Sequence, residues 1–204
     1  MTPSTAASGA IPDAQAETGL LLLTGGRSSR MGEPKHLLEH PSGGTWGGHL
    51  VRVFASVCPH GPTCVLGDPI PDWPALPRVD DPRQGPAVAL RTWSGLPAPA
   101  ARRWWVVACD QVRWTSGRLG LWLGQAKAAD PDASHWVLAR HQGHLQPLGS
   151  LLPASLRPRL ADMANQSLLG LVERLPHLIL DLEGKEWLDV DTPETRKAFE
   201  EAEE

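Results

Sequence analysis

Apolar positions along the chain gather into short unbroken runs separated by longer amphipathic or polar stretches. Four runs, residues 19–23, 63–66, 104–109 and 135–139, are continuous and not alternating, the pattern of strands buried on both faces of a parallel sheet. A fifth, residues 177–182, alternates as "HLILDL" and predicts an edge or half-exposed strand. Helical stretches lie between and after them, over residues 47–57, 85–94, 117–129, 155–163 and 168–175. The closing "DTPETRKAFEEAEE" predicts a last helix with Thr192 as N-cap and Pro193 at its first position. Strands alternating with helices make βαβ units, so the expected fold is α/β: a single-domain, doubly wound, mainly parallel sheet of Rossmann-like type.

Composition narrows this picture. The 204 residues, 41% hydrophobic and 21% charged, suit one domain with a sizeable core. Residues 1–17, rich in Ala, Ser, Thr and Pro, are expected to form a loose tail, leaving residues 18–204 as the domain. That tail lacks the basic start and long apolar core of a signal peptide, and the apolar runs, residues 20–23 and 104–109 among them, are far too short to span a bilayer. Lys and Arg number 19 against 23 Asp and Glu, a net charge of −4, which argues against tracking along nucleic acid. Three cysteines (Cys58, Cys64, Cys109) in no C-x-x-C pattern point to a reducing, cytoplasmic setting. Nine Trp and no Tyr read as bulky apolar fillers, some of them expected at the surface.

In doubly wound sheets ligands bind outside the carboxyl ends of the strands. Those ends carry Thr24-Gly25-Gly26, Gly67-Asp68, Asp80-Asp81 after "LPRV", and Asp110 after "WWVVAC"; Asp189-Val190-Asp191 precede the last helix. Acidic residues at four places along the chain, converging on one rim, exceed what a solvated surface needs. In "LTGGRSSRMGEPK", Gly25 and Gly26 permit close approach to backbone amides, Ser28 and Ser29 offer hydroxyls, and Arg27, Arg30 and Lys35 bring positive charge. That inventory suits a nucleotide's phosphates. The loop is neither G-x-x-x-x-G-K-[ST] nor G-x-G-x-x-G. From composition alone, a tight strand-to-helix turn with solvated arginines is the other reading.

A competing signature follows at once. His36-Leu-Leu-Glu39-His40 spells H-x-x-E-H, which binds zinc when both histidines share one face of a sustained helix. Pro34 before it and Pro41 with "SGGTWGG" after it leave room for one or two turns at most, so zinc is not expected and both histidines are expected exposed or half-buried. His141 and His144 in "RHQGHLQP" read as a hairpin-like loop turning at Gly143, without metal partners. Cys109 reads as a small buried residue at a strand end.

Five segments in order resemble the nucleotidyltransferase superfamily that includes the molybdenum cofactor guanylyltransferases. "LTGGRSSRMGEPKHLL" is similar to its N-terminal signature, approximately L-A-G-G-x-S-x-R-M-G-x-D-K-x-L-L. "RVDDPRQGPAVAL" resembles an aspartate followed by a G-P-L-A-G helix start, and "WVVACDQV" a strand ending in C-D-x-P. "LQPLGSLLPASL" resembles Q-P-L, an apolar strand and a helix; "LDVDTPETRKAF" resembles the closing N-V-N-T-P-E-D-L or D-I-D-T-P-E-D-L. The resemblance implies the nucleotide-diphospho-sugar transferase variety of the α/β sheet.

It also implies a Mg²⁺-dependent transfer of GMP from GTP to molybdopterin cofactor with release of pyrophosphate. Leu23, Thr24 and Gly25 would line guanine and ribose, Gly26 would open the phosphate loop, and Arg30 and Lys35 would hold the phosphates. Asp81 would contact the nucleoside, Asp110 would bind Mg²⁺, and Asp191 would stand near the same ion. Arg30, Lys35 and Asp110 are thus the expected catalytic set. Acceptor contacts are expected from irregular loops such as residues 140–147, and transient contact with molybdoenzymes or cofactor-handling proteins is a further implication. Departures from the pattern keep two alternatives. Pro34 before Lys35 and "DVDTPE" lean towards a cytidylyltransferase acting on the molybdenum cofactor, or another small nucleotidyltransferase; Pro34, Gln111-Val112 after C-D and Gly67, where an asparagine can stand, allow a non-catalytic nucleotide- or cofactor-binding module.

Overall fold

The computed structural model describes residues 16–25, 32–164 and 167–203. Seven strands make one sheet: β1 (Ala16–Leu23), β2 (Thr63–Leu66), β3 (Arg78–Val79), β4 (Ala101–Ala108), β5 (Trp136–His141), β6 (His144–Pro153) and β7 (His177–Asp181). Their spatial order is β3-β2-β1-β4-β6-β5-β7, with β6 antiparallel to both neighbours and every other pairing parallel. The helices are α1 (Trp46–Val57), α2 (Pro86–Ser94), α3 (Ser116–Ala129), α4 (Arg157–Ala161), α5 (Leu168–Val172) and α6 (Pro193–Glu203). The expected α/β sheet is therefore present, with β7 at its edge.

Alternation along the central strands explains why both faces are covered. Leu21, Leu23, Trp104 and Val106 pack against α2, α4 and α5 through Leu90, Trp93, Leu160 and Leu171. Leu20, Leu22, Trp105 and Val107 face α1 and α3 through Leu50, Phe54, Leu119 and Trp122. With apolar demand on both sides, such strands read as unbroken runs. Nor do the tryptophans lie scattered at the surface: eight of nine are buried and Trp73 alone is exposed. Their size fills the two layers between sheet and helices.

Other boundaries differ for local reasons. β1 begins at Ala16, paired with Ala101, so residues 16 and 17 belong to the sheet and not to the tail. The stretch 155–163 is split into a one-turn 3-10 helix at Ala154–Leu156 and a short α4, and residues 168–175 keep only five helical residues. Residues 140–147 are not an irregular loop. Gln142 (φ 49°) and Gly143 (φ 81°) make the two-residue turn with positive φ that matches strand twist, joining β5 to β6.

Candidate active site

The chain runs outward from β1 through β2 to β3, then returns to β4 on the other side of β1. Loops at the carboxyl ends of β1 and β4 therefore diverge, and a cleft of about 430 Å³ opens there. It is lined by Leu23, Gly25, Asp81, Arg83, Gly85, Pro86, Ala108, Asp110 and Leu148.

Gly25 and Asp81 meet so closely that a β-carbon on residue 25 would stand 1.8 Å from Asp81 Oδ2. Asp81 Oδ1 accepts the Arg83 N–H at 2.8 Å, holding Arg83 in a left-handed conformation (φ 59°). The Arg83 guanidinium reaches Asp68 Oδ1 at 3.2 Å, across the cleft mouth. Thr24 is buried, and its hydroxyl donates to the Asp68 carbonyl at 2.7 Å. Its side chain ties the end of β1 to the loop after β2, so only backbone at Thr24 is left for a ligand. Gly67 (φ 117°) is hemmed in likewise: a β-carbon there would lie 2.5 Å from the Gly25 nitrogen. No asparagine fits this backbone.

On the other wall, Lys35 Nζ lies 2.8 Å from Asp110 Oδ2, both side chains largely shielded. The Val190 N–H donates to the Asp110 carbonyl at 2.9 Å, drawing the closing motif against the end of β4. The Asp189 carboxyl is pushed up to about 6, by desolvation first and then by the negative charges of Asp110 and Asp191, with Lys35 opposing. Asp189 keeps solvent-exposed surface, so its desolvation is partial and the crowding of like charge carries the argument. Thr192 caps α6 by accepting the Thr195 N–H at 3.2 Å, while Thr195 Oγ1 accepts the Asp191 N–H at 3.1 Å; this reciprocal cap fixes the acidic segment.

A buried aromatic stack supports that segment from below. Trp105, Trp114, Trp187 and Trp122 follow one another edge to face at centroid distances of 5.4, 4.9 and 5.3 Å. Such pairs add roughly 0.5–1.5 kcal/mol each beyond area burial. Trp187 fills the space left by Gly149 (φ 84°), where a β-carbon would be 2.8 Å from its ring, and so braces β6 beside Leu148.

Of the expected site residues, Leu23, Gly25, Asp81 and Asp110 line one cleft, Lys35 joins it through Asp110, and Asp191 is drawn in through Val190. Gly26 and Arg30, with Arg27, Ser28 and Ser29, lie outside the described residues. The acidic positions do not all converge: Asp80 is exposed and paired with Arg78 at 3.3 Å, and Asp68 is engaged by Arg83. Sequence reasoning passed over Arg83 and the particular role of Asp189. The signals were a cation between "DD" and "GP", and the first aspartate of "DVDTPE".

The histidine expectation is corrected as well. His36 and His40 are both buried at 3% exposure. His36 lies within electrostatic reach of Asp68, and desolvation lowers its pKa. His40 stacks on His49 with centroids 3.7 Å apart and accepts the Ser42 N–H at Nδ1. Among the described residues no three His, Cys, Asp or Glu side chains cluster closely enough to hold a metal by themselves. Cys109 is buried as expected, its thiol held protonated by desolvation. No helix of the described residues is long and apolar enough to cross a membrane.

Solved structures with the same architecture include Rv0371c of Mycobacterium tuberculosis, with a TM-score of 0.68 and 22% identity over 91% of this chain and 98% of that one. A manganese complex of Rv0371c gives 0.64 and 18% over 92% and 99%. Molybdopterin-guanine dinucleotide biosynthesis protein A of Archaeoglobus fulgidus gives 0.65 and 14% over 90% and 97%. A probable molybdenum cofactor guanylyltransferase of Rhodopirellula baltica is 60% identical over 38 residues, which is 19% of this chain and 18% of that protein's length. Residues 20–178 match the family described as the MobA-like NTP transferase domain, and on that match, over well more than half of the sequence, the chain belongs to this family of nucleotidyltransferase domains.

Proposed function

We propose that this chain transfers GMP from GTP to molybdopterin cofactor, releasing pyrophosphate, with Mg²⁺ bound at Asp110 and Asp191. One observation carries the reading: a nucleotide-sized cleft at the switch point with Gly25 and Asp81 on one wall and the Lys35–Asp110 pair on the other. The short match to a guanylyltransferase supports the base and acceptor, and the manganese complex of a structural neighbour supports a divalent cation.

The residues fit such an ion. Asp110 with the crowded Asp189 and Asp191 concentrates negative charge that a cation would relieve, and Mg²⁺ takes one or two carboxylates together with phosphate oxygens and retained waters. When bound, the ion would neutralise charge on the phosphates. The chain's own groups then position. Leu23 and the Gly25 backbone would cradle base and ribose, and the Asp81 carboxylate would accept from the nucleoside. Lys35, released from Asp110, would turn to a phosphate oxygen; Arg30 would hold the same phosphates. A terminal phosphate oxygen of the acceptor attacks the α-phosphorus, one P–O bond forms, and the bond to pyrophosphate breaks. Little proton transfer is required; alignment and charge neutralisation set the rate. Three unpaired cysteines suit a reducing, cytoplasmic setting, and a net charge of −4 does not favour tracking along nucleic acid.

Thermal-shift titration with GTP, CTP and ATP, each with and without Mg²⁺, tests the reading. Stabilisation by GTP, strengthened by Mg²⁺, with pyrophosphate release on adding the acceptor, is expected. Preference for CTP moves the activity to a cytidylyltransferase. Binding without turnover leaves a nucleotide-binding module, and no response to any nucleotide overturns the site.

A further inference from the structure

We propose that β7 is a self-association edge on which a second copy of this chain pairs antiparallel, with a two-fold axis at Ile179. The backbone sets the terms. β7 runs parallel to β5, Trp136 opposite His177 and Arg140 opposite Asp181. The Trp136 N–H donates to the Pro176 carbonyl at 2.8 Å, and the Leu182 N–H to the Arg140 carbonyl at 3.1 Å. Residues alternate along a strand in the side their N–H and C=O face, so 176, 178, 180 and 182 serve β5 while His177, Ile179 and Asp181 turn theirs outward. Among the described residues no strand pairs with that side.

Outward groups at every second residue are what successive hydrogen-bonded pairs of an antiparallel ladder need. An axis at Ile179 sets Ile179 against its own copy and His177 against the copy's Asp181, each pair exchanging both N–H···O=C bonds. Directly opposed side chains share a face, so this register brings an imidazole to a carboxylate at each end of an apolar centre. Asp181 is 71% exposed and already oriented by Arg140, with Nε to Oδ1 at 2.6 Å and Nη2 to Oδ2 at 2.8 Å. Sliding the copies by two residues one way presses Asp181 onto Ile179, and the other way presses His177 onto Ile179 and carries Asp181 past the strand's start, so either slip sets a polar side chain against an apolar one. The strand is thus self-complementary in one register.

The flanks agree. Leu178, Ile179 and Leu180 are only half-buried, and residues 177–181 contain no lysine, proline or bulge of the kind that guards an exposed edge. Leu121, 62% exposed, lines a small cleft with Leu182 at the end of the strand, adding apolar surface beside it. β5 separates β7 from β6, whose Leu148 lines the nucleotide cleft, and no residue of β7 lines it, so association and nucleotide binding are separable.

Sedimentation equilibrium of the full chain over a micromolar concentration series tests this. The wild type is expected to be a dimer. Ile179→Pro removes an outward N–H that β5 does not use and is expected to weaken the dimer at least tenfold, with circular dichroism and the nucleotide response retained. His177→Asp, which sets like charges opposite one another, is expected to weaken it comparably; Ile179→Val leaves it intact. A wild type monomeric across the series overturns the proposal. So does a dimer that a folded Ile179→Pro or His177→Asp variant leaves unmoved; should Ile179→Pro fail to fold, His177→Asp decides.

Discussion

Adding one methyl group at Gly25 separates the cleft reading from a merely structural one. In Gly25→Ala the new β-carbon would stand 1.8 Å from Asp81 Oδ2 and 2.8 Å from its Cγ. Ordinary contact begins near 3.4 Å, so the carboxylate must retreat by about 1.6 Å. The carboxylate can turn away about the Asp81 side-chain bond, and the Asp81 Cβ at 3.0 Å gives by a few tenths of an ångström, so β1 keeps its place. The retreat breaks the exposed bond from the Arg83 N–H to Asp81 Oδ1, worth about 1 kcal/mol, or about 2–4 °C in Tm for a chain of this size. Binding loses more. A displaced carboxylate gives up a charge-assisted hydrogen bond to the nucleoside, about 1.5–3 kcal/mol, which is roughly 10- to 150-fold in Kd. Large affinity loss with small stability loss is the expected signature, read by calorimetric titration with GTP and Mg²⁺ beside scanning calorimetry. Adding Asp81→Ala to Gly25→Ala removes the clash, and the double variant should bind no worse than Asp81→Ala alone. Wild-type GTP affinity in Gly25→Ala would refute the placement of Asp81.

Asp110→Asn is expected to lower pyrophosphate release at least a hundredfold while raising Tm or leaving it near wild type, since Lys35 keeps a polar partner; unchanged turnover would remove Asp110 from the reaction. Lys35→Ala should weaken GTP by about 1.5–3 kcal/mol, towards the lower figure because Lys35 must leave Asp110 to reach phosphate. The same variant should bind Mn²⁺ more tightly without nucleotide, a competing cation having gone, and weaker Mn²⁺ binding would count against this site. The fourth expectation concerns acid stability. His40 is lowered to about 4 by desolvation, then by His49, against 6.5 in the unfolded chain. The unfolded state therefore binds the extra proton, and stability falls as pH drops from about 6.5 to about 4, by about 3 kcal/mol in all. Urea unfolding at pH 7 and 5 should show that loss shrink in His40→Asn; an unchanged difference would assign the acid sensitivity elsewhere.

Much of this architecture was legible in the chain because both sheet faces are buried: Leu20 to Leu23 leave no polar position to mistake for a surface. The cap at Thr192 was legible too, since Thr and Pro act locally. β6 was missed by periodicity and reached only through resemblance, because Gly149, Pro147 and Gln146 interrupt its pattern. Gly149 is there to admit the Trp187 ring, a contact between residues far apart in sequence. Lys35 and Asp110 were each readable as charged groups at strand ends, but their 2.8 Å pairing depends on how the chain after the glycine loop folds back. Burial of eight tryptophans likewise follows from layer thickness, which no local pattern reports.

The two signatures within residues 21–40 are reconciled by the same folding back. From Lys35 to His40 burial alternates, with His36, Leu38 and His40 inward and Leu37 and Glu39 outward. Only Lys35–Leu37 form a turn of 3-10 helix; Leu38 is already extended, and Glu39 bridges Thr45. In a sustained helix two histidines four apart would lie one turn from each other and share a metal. With a single turn and then extended chain, the backbone carries the two positions on the order of 10 Å apart, not the roughly 6 Å of one helical turn. Their rings also go to different neighbours, His36 towards Thr24 and Asp68 and His40 onto His49, so they do not converge on one ion. Period-two burial gives the histidines another task. His36 sits under Thr24 and Asp68, Leu38 joins Trp46, Val112, Val190 and Phe199, and His40 stacks on His49 of α1. Three inward anchors at alternate positions hold the chain that follows the glycine loop and fix the direction from which Lys35 enters the cleft. The residues spelling a zinc signature thus brace the proposed phosphate site.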